Sequence, residues 1–223
     1  MRDVTVVFDL DGTLVDTAPD LIHATNHVLK SLGFAAVGSE LLRPWISYGA
    51  KRMIIEGLAY SGQDASEADL DHLLERFLEH YAANIAFESR PFPGAVPALD
   101  RLLTHGTRLA ICTNKRENLS RSLLDQLGLT KRFAAIAGRD TLPHAKPHPA
   151  HLRGAVTMAG GDLARTVMVG DSEVDIATAK AAHVPIVGVT FGYTQVPVER
   201  LSPDAVIGHF DQLEETVARL LAC

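Results

Sequence analysis

The sequence predicts an α/β fold: a doubly wound, Rossmann-like parallel sheet with an all-helical cap domain inserted after its first strand. Short apolar runs of strand length alternate with helical patterns from about residue 91 onward. The links between them are short, which favours parallel strands covered by helices on both faces. The preceding segment carries helical patterns alone, which indicates a separate domain. We therefore expect an α/β core of residues 1–15 and 91–223 and a helical cap of residues 16–90.

The first strand is the apolar run Val4–Phe8, which ends at two acidic residues. Side chains repeat every two residues along a strand, so Asp9 and Asp11 would leave an extended chain on the same side. Two carboxylates held so close repel each other, and a bound cation or a shared proton relieves the repulsion. Asp, Gly and Thr after a strand are also typical of an ordinary turn, and this stretch alone leaves both interpretations open.

Four helical segments are predicted in the cap. The first has apolar residues at helical spacing from Leu21 to Leu32, and Gly33 follows where a C-terminal cap belongs. The other three are Glu40–Trp45, Ala50–Tyr60 and Glu67–Ala83. A wholly helical block directly after a first strand is unusual for a regular alternation of strands and helices, so we expect it to form its own domain.

Alternation of strands and helices begins after the turn at Arg90–Gly94. The predicted strands are Arg108–Thr113, Phe133–Ala137, Thr166–Gly170, Pro185–Thr190 and Ala205–Ile207. The predicted helices are Val96–Leu103, Glu117–Leu127, Pro149–Ala159, Asp175–Ala182 and Gln212–Leu221. These elements are expected to build the parallel sheet and its two helical layers.

Composition and charge narrow the class of protein. The chain has 223 residues, 47% hydrophobic and 22% charged, as expected for a globular protein with a substantial core. A net charge of -6 disfavours a nucleic-acid or anionic-membrane partner. Cys112 and Cys223 make no disulfide framework, and neither a leader nor a spanning apolar run is seen. We expect a cytoplasmic monomer or homodimer.

The first acidic stretch carries a resemblance to a known family. Asp9–Asp16 resembles the first motif of the haloacid dehalogenase superfamily, whose phosphatase branch has Asp-x-Asp-Gly-Thr, here including Gly12 and Thr13. Leu109–Asn114 is a strand ending in a hydroxyl residue, similar to the second motif of that family. In the family, the hydroxyl at the position of Thr113 donates to a phosphate oxygen.

Two further motifs follow in the family's order. Lys146, just ahead of Pro-x-Pro, is similar to the third motif, and His144, His148 and His151 crowd around it, where they could line a pocket. Val167–Asp175 resembles the fourth motif, Gly-Asp-Ser-x-x-Asp. All four motifs lie at predicted strand ends or in the loops after them, so the resemblance covers essentially the whole chain.

The resemblance implies a two-step phosphoryl transfer. Asp9 would attack phosphorus and form an aspartyl-phosphate. Asp11 would protonate the leaving oxygen and then deprotonate the attacking water. Lys146, Thr113 and Asn114 would bind and stabilise the transferring group. The dehalogenase branch lacks the second aspartate, so Asp11 favours phosphate chemistry over carbon–halogen cleavage.

The resemblance also implies a magnesium site. Asp9, Asp171 and the main-chain carbonyl of Asp11 would supply the oxygen ligands that Mg²⁺ prefers. Asp175 would support the site by orienting Lys146 and the metal shell. Gly170 would let the backbone approach closely at the end of its strand.

The cap and one later segment indicate the substrate. A helical cap after the first motif and Phe191-Gly192-Tyr193 after the fifth strand resemble the phosphoglycolate phosphatase group, which implies hydrolysis of 2-phosphoglycolate, a small phosphate ester. Other members with this cap hydrolyse sugar phosphates such as N-acetylmuramic acid 6-phosphate, hydrolyse pyrophosphate, or isomerise β-glucose phosphates. The core motifs do not separate these outcomes. The intact acidic residues and lysine disfavour a non-enzymatic binding protein.

A second set of candidate residues lies in the cap. Lys51 and Arg52 follow Ser47–Gly49 at a place that resembles the family's substrate-specificity loop, with Arg43 as a further candidate. One of these cations would bind the substrate's carboxylate. The alternative is that they lie on a solvated surface.

Overall fold

The computed structural model describes residues 3–222, which form two compact units. One unit is built from the chain up to residue 16 and from residue 91 onward, and the other covers residues 17–90. The first division falls one residue later than the sequence places it. Between residue 17 and residue 89 the described chain is helical and contains no strand.

The first unit is built on a six-stranded parallel sheet. The strands of the chain are β1 (Thr5–Phe8), β2 (Val15–Asp16), β3 (Arg90–Pro91), β4 (Arg108–Cys112), β5 (Ala135–Ala137), β6 (Thr166–Gly170), β7 (Ile186–Val189) and β8 (Ala205–Ile207). The sheet runs in the order β5-β4-β1-β6-β7-β8, and β2 pairs with β3 in a separate two-stranded sheet. The predicted α/β class, a parallel sheet with an inserted helical cap, is confirmed.

Helices make up the rest of the framework. In the helical unit they are α1 (Ala18–Ser31), α2 (Ser39–Leu42), α3 (Ala50–Tyr60) and α4 (Glu67–Ala83). In the sheet unit they are α5 (Ala95–Thr104), α6 (Glu117–Gln126), α7 (Pro149–Met158), α8 (Glu173–Ala182) and α9 (Leu213–Leu220). Within residues 3–222 no helix combines the length and apolar character needed to cross a bilayer.

The central position of β1 explains its sequence. β1 pairs with β4 on one side and β6 on the other, and all four of its residues are buried. A strand covered on both faces reads as a continuous apolar run. The register pairs Phe8 with Ile111 and with Val169, so the residues that follow these three strands emerge together at the carboxyl edge of the sheet.

Several predicted helices differ from the structure by one or more residues at an end, and two of these differences have a clear physical reason. The predicted helix Glu40–Trp45 is instead α2 followed by a 3₁₀ helix, Arg43–Tyr48, because Pro44 at its start has no N–H to continue the α-helical ladder. The helix expected to begin at Asp175 begins at Glu173, because Ser172 caps it in a reciprocal capping box.

A buried carboxylate fastens the end of the helical unit to its first helix. Asp20, in the first turn of α1, accepts hydrogen bonds from the Ser89 N–H (2.8 Å), the Ser89 hydroxyl (2.6 Å) and the Glu88 N–H (3.0 Å). Both Asp20 and Ser89 are buried. These bonds hold the last residues of the unit against α1.

We expect Asp20→Ala to lower the free energy of unfolding by about 2–4 kcal/mol, because it leaves the buried N–H and hydroxyl of Ser89 without an acceptor. Urea unfolding measures the loss, and Asp64→Ala, at an exposed position of the same unit, is the control. Equal stability of the two variants would contradict this account of the contact.

Candidate active site

The candidate site lies where β1, β4 and β6 end. Asp9 follows β1, Thr113 follows β4 and Asp171 follows β6, and all three residues are buried. The Asp9 N–H donates to the Val169 carbonyl at 3.0 Å, which extends the pairing of β1 with β6 by one residue. The sheet therefore gathers residues from three of the four motifs at one edge.

A buried lysine links two of the acidic residues. Lys146 Nζ donates to Asp175 Oδ1 at 2.5 Å and lies 2.9 Å from Asp9 Oδ1. Burial by itself lowers the pKa of Lys146, but the negative charges of Asp175 and Asp9 outweigh burial and raise that pKa above its ordinary value. Lys146 is therefore a fixed positive charge beside Asp9.

The main-chain N–H and the main-chain carbonyl of Lys146 are both hydrogen-bonded to side chains. Its N–H donates to His151 Nδ1 at 3.1 Å, and its carbonyl accepts from Asn114 Nδ2 at 3.0 Å. The other ring nitrogen, His151 Nε2, lies 3.0 Å from the Gly138 carbonyl and so carries the hydrogen. Burial, together with the charge of Lys146, lowers the pKa of His151 to about 4. His151 is a neutral support of this loop.

The two oxygens of Asp175 have different partners. Oδ1 faces Lys146, whereas Oδ2 accepts from the Ser172 hydroxyl at 2.6 Å and from the Ser172 N–H at 3.1 Å. Gly170 makes room for this arrangement, since a Cβ there would lie 2.4 Å from the Cβ of Asp175. Asp175 thus joins the start of α8 to the lysine.

Asp171 is enclosed by two donors and a glycine. The Thr13 hydroxyl donates to Oδ1 and the Tyr193 N–H donates to Oδ2, each at 2.8 Å. Gly12 has φ of +81°, and a Cβ on it would lie 2.7 Å from Asp171 Oδ2. Burial raises the pKa of Asp171 to about 8, and the charges of Asp175 and Asp9 add to the effect. The two hydrogen bonds fix the position of the Asp171 carboxylate, and its raised pKa means that its surroundings disfavour the ionised form.

Three buried aspartates form a cluster that could hold a metal ion. Oxygens of Asp9, Asp171 and Asp175 all lie within 4.8 Å of one another. Asp9 Oδ1 accepts no well-directed hydrogen bond from the described residues, although Lys146 lies beside it, and burial raises the pKa of Asp9 to about 6. An oxygen-only set with excess negative charge suits a hard divalent cation. The structure adds the side chain of Asp175 to the predicted set of Asp9, Asp171 and the Asp11 carbonyl.

The side chain of Asp11 faces a residue that sequence reasoning missed. Lys115 Nζ donates to both Asp11 oxygens, at 2.8 and 3.0 Å, and only 5% of the lysine side chain is exposed. The Lys115 N–H also donates to the Thr113 hydroxyl oxygen at 3.2 Å, which turns the loop after β4. A lysine in a loop is usually solvated, so the only available signal was its place two residues beyond Thr113.

The predicted cap cations have acidic partners within the helical unit. Lys51 pairs with Glu67 at 2.5 Å and Asp71 at 3.0 Å. Arg52 pairs with Glu56 at 2.5 Å, and its guanidinium carbon lies 4.8 Å from the centre of the Trp45 ring. Their contact with substrate stays a prediction.

The fold and the site together define an α/β enzyme whose carboxylates and lysines gather at the carboxyl edge of a parallel sheet. The chain belongs to the haloacid dehalogenase-like hydrolase family, whose model matches residues 6–189. This match spans all four motifs.

Named relatives cover nearly the full chain. A phosphoglycolate phosphatase of Mesorhizobium japonicum is 48% identical over 97% of this chain and 95% of its own length. One of Agrobacterium fabrum is 49% identical over 93% of this chain and 89% of its own length. A crystal structure from Haemophilus somnus, described as a predicted phosphoglycolate phosphatase, has a TM-score of 0.88 and 29% identity, covering 96% of this chain and 97% of that one. These relatives confirm the predicted enzyme class, a phosphatase.

We expect the stability of the metal-free protein to fall between pH 7 and pH 8. Asp171 has a pKa of about 8 in the folded chain and an ordinary value of 3.8, so the folded state binds more protons than the unfolded state in this range. The free energy of unfolding should drop on the order of 1 kcal/mol per pH unit. Urea unfolding in chelator measures the slope, which should be much smaller in Asp171→Asn. A slope of zero or opposite sign in the unmodified protein would contradict the prediction.

Proposed function

We propose that this chain is a magnesium-dependent phosphatase that hydrolyses 2-phosphoglycolate to glycolate and phosphate through an aspartyl-phosphate. The observation that carries the chemistry is the position of Lys146, 2.9 Å from Asp9 and 2.5 Å from Asp175. A transferring phosphoryl group needs a nucleophile in line and a cation beside it, and these residues supply both. The substrate is supported by the relatives, which are called phosphoglycolate phosphatases at 48% and 49% identity.

In the first step, an oxygen of Asp9 bonds to phosphorus while the bond from phosphorus to the ester oxygen breaks. Asp11 donates a proton to that oxygen, so glycolate leaves as an alcohol. Lys146 balances the negative charge on the phosphoryl oxygens, and the Thr113 hydroxyl donates to one of them. Asp9 then carries the phosphoryl group.

In the second step, a water oxygen bonds to phosphorus while the bond between phosphorus and Asp9 breaks. Asp11, now a carboxylate, takes the proton from that water. The products are inorganic phosphate and the regenerated Asp9 carboxylate. One general acid–base therefore serves both steps, which agrees with the presence of a second aspartate two residues after the first.

The aspartate cluster of Asp9, Asp171 and Asp175 fits a divalent cation, and Asp9 and Asp171 with the Asp11 carbonyl would hold Mg²⁺. A bound Mg²⁺ supplies positive charge to the phosphoryl oxygens and to the nucleophilic carboxylate. The raised pKa values of Asp9, about 6, and Asp171, about 8, belong to the metal-free site and would fall when a cation binds.

A phosphate-release screen tests the proposed substrate. The panel contains 2-phosphoglycolate, N-acetylmuramic acid 6-phosphate, β-glucose 1-phosphate and pyrophosphate, each assayed with Mg²⁺ and with excess chelator. We expect the highest kcat/KM for 2-phosphoglycolate and no turnover in chelator. A higher kcat/KM for a sugar phosphate or pyrophosphate would contradict the substrate, and full activity in chelator would contradict the metal.

A further inference from the structure

Lys115 is a second buried cation in the site, in addition to Lys146. It lies one residue beyond the second motif, and its ammonium donates to both oxygens of Asp11. With 5% of its side chain exposed, it is withdrawn from water almost as completely as Lys146, at 2%. Burying an ammonium is costly unless it is paired, and the ion pair with Asp11 compensates for the burial of Lys115.

We propose that Lys115 binds the carboxylate of the substrate and so selects phosphate esters whose leaving group carries a negative charge next to the ester oxygen. This inference rests on the proposed function, in which Asp11 meets the ester oxygen.

The geometry of the substrate matches the position of Lys115. In 2-phosphoglycolate a single methylene carbon separates the ester oxygen from the carboxylate carbon. An ester oxygen within hydrogen-bond distance of Asp11 therefore brings its carboxylate within a few ångströms of that side chain. Lys115 Nζ already lies 2.8 and 3.0 Å from the two Asp11 oxygens. The positive charge of Lys115 therefore lies within reach of the carboxylate of a substrate whose ester oxygen meets Asp11.

Each of the two lysines, Lys146 and Lys115, is placed to meet a different anionic group of such a substrate. Lys146 faces Asp9 and Asp175, on the side of the phosphoryl group, whereas Lys115 faces Asp11, on the side of the leaving group. The sheet unit thus supplies a cation for each end of the substrate. With Lys115 in this role, the carboxylate would not need Lys51 or Arg52, which have acidic partners within the helical unit.

The test compares 2-phosphoglycolate with ethyl phosphate, which replaces the carboxylate by hydrogen and otherwise keeps the same skeleton. Lys115→Gln keeps an N–H donor for Asp11 but removes the charge. We expect this change to reduce the ratio of kcat/KM for 2-phosphoglycolate to kcat/KM for ethyl phosphate about 10- to 100-fold, the range for loss of a charged hydrogen bond, because any effect that acts through Asp11 lowers both values alike. Lys115→Arg should recover most of the preference, and Lys131→Gln, at an exposed lysine of the same unit, is the control.

Different outcomes separate this inference from the proposed function. Unmodified protein that hydrolyses ethyl phosphate at least as well as 2-phosphoglycolate overturns the proposed substrate and the inference with it. If the unmodified protein prefers 2-phosphoglycolate, equal losses on both substrates in Lys115→Gln overturn the inference alone, because they show that Lys115 acts only through Asp11. A preference that survives in Lys115→Gln and disappears in Lys51→Ala or Arg52→Ala also overturns it and favours the cap cations.

Discussion

Asp9→Asn is expected to reduce kcat by about a thousandfold or more, because the amide is too weak a nucleophile to form the acyl phosphate. Folding should survive. The raised pKa of Asp9, about 6, means that burial opposes its charge, and Lys146 keeps Asp175 as its partner in the variant. Phosphate release under saturating substrate measures the loss.

Two controls make this result interpretable. Mass spectrometry of the purified Asp9→Asn protein excludes deamidation back to aspartate, and Asp64→Asn, at an exposed site, repeats the change of charge away from the sheet edge. Activity above a few per cent in intact Asp9→Asn protein would show that the nucleophile is assigned wrongly.

Lys146→Met is expected to damage both activity and stability. It removes the cation beside Asp9 and leaves Asp175, which is fully buried, without its charged partner. Breaking a buried ion pair by removing one member typically costs about 3–5 kcal/mol. Turnover should fall at least about a hundredfold, because no other residue in the third motif can balance the phosphoryl oxygens.

Urea unfolding and phosphate release are compared in Lys146→Met, in Lys146→Arg and in the control Lys180→Met. Lys180 is exposed, and its ammonium donates to the Leu201 carbonyl. Arginine keeps the charge and should recover part of the stability. A Lys146→Met protein as stable and active as the Lys180→Met protein would contradict a central role for the buried ion pairs.

The sequence predicted most of the sheet because its buried strands are short runs of apolar residues, which can be recognised locally. β6 was placed at its observed bounds, and β1 differed by one residue. The motifs follow these strands directly, so their positions at one sheet edge could be expected as well. The two-residue strands β2 and β3 are too short to leave a periodic pattern and were not predicted.

The contacts that complete the site depend on long-range register, which local sequence does not encode. Lys115 and Asp11 are 104 residues apart, and they meet because β4 lies beside β1 with Ile111 opposite Phe8. The capping box of Ser172 and Asp175 did leave a signal, since Ser-x-x-Asp before a helix is its usual pattern. The acidic partners of Lys51 come from α4, another helix of the unit, and could not be read from its neighbours in sequence.

The most direct test of the mechanism is to trap the phosphoryl group on the protein. Asp11→Asn protein, in which the second step lacks its general base, is mixed with Mg²⁺ and ³²P-labelled 4-nitrophenyl phosphate, whose leaving group departs without the proton that Asp11 donates to an alkyl ester. The mixture is quenched in acid within milliseconds to seconds and digested. We expect a label that hydroxylamine removes, on the peptide that contains Asp9, and no label in the Asp9→Asn, Asp11→Asn double variant. Phosphate release without any labelled peptide, or a label that remains in the double variant, would contradict the account.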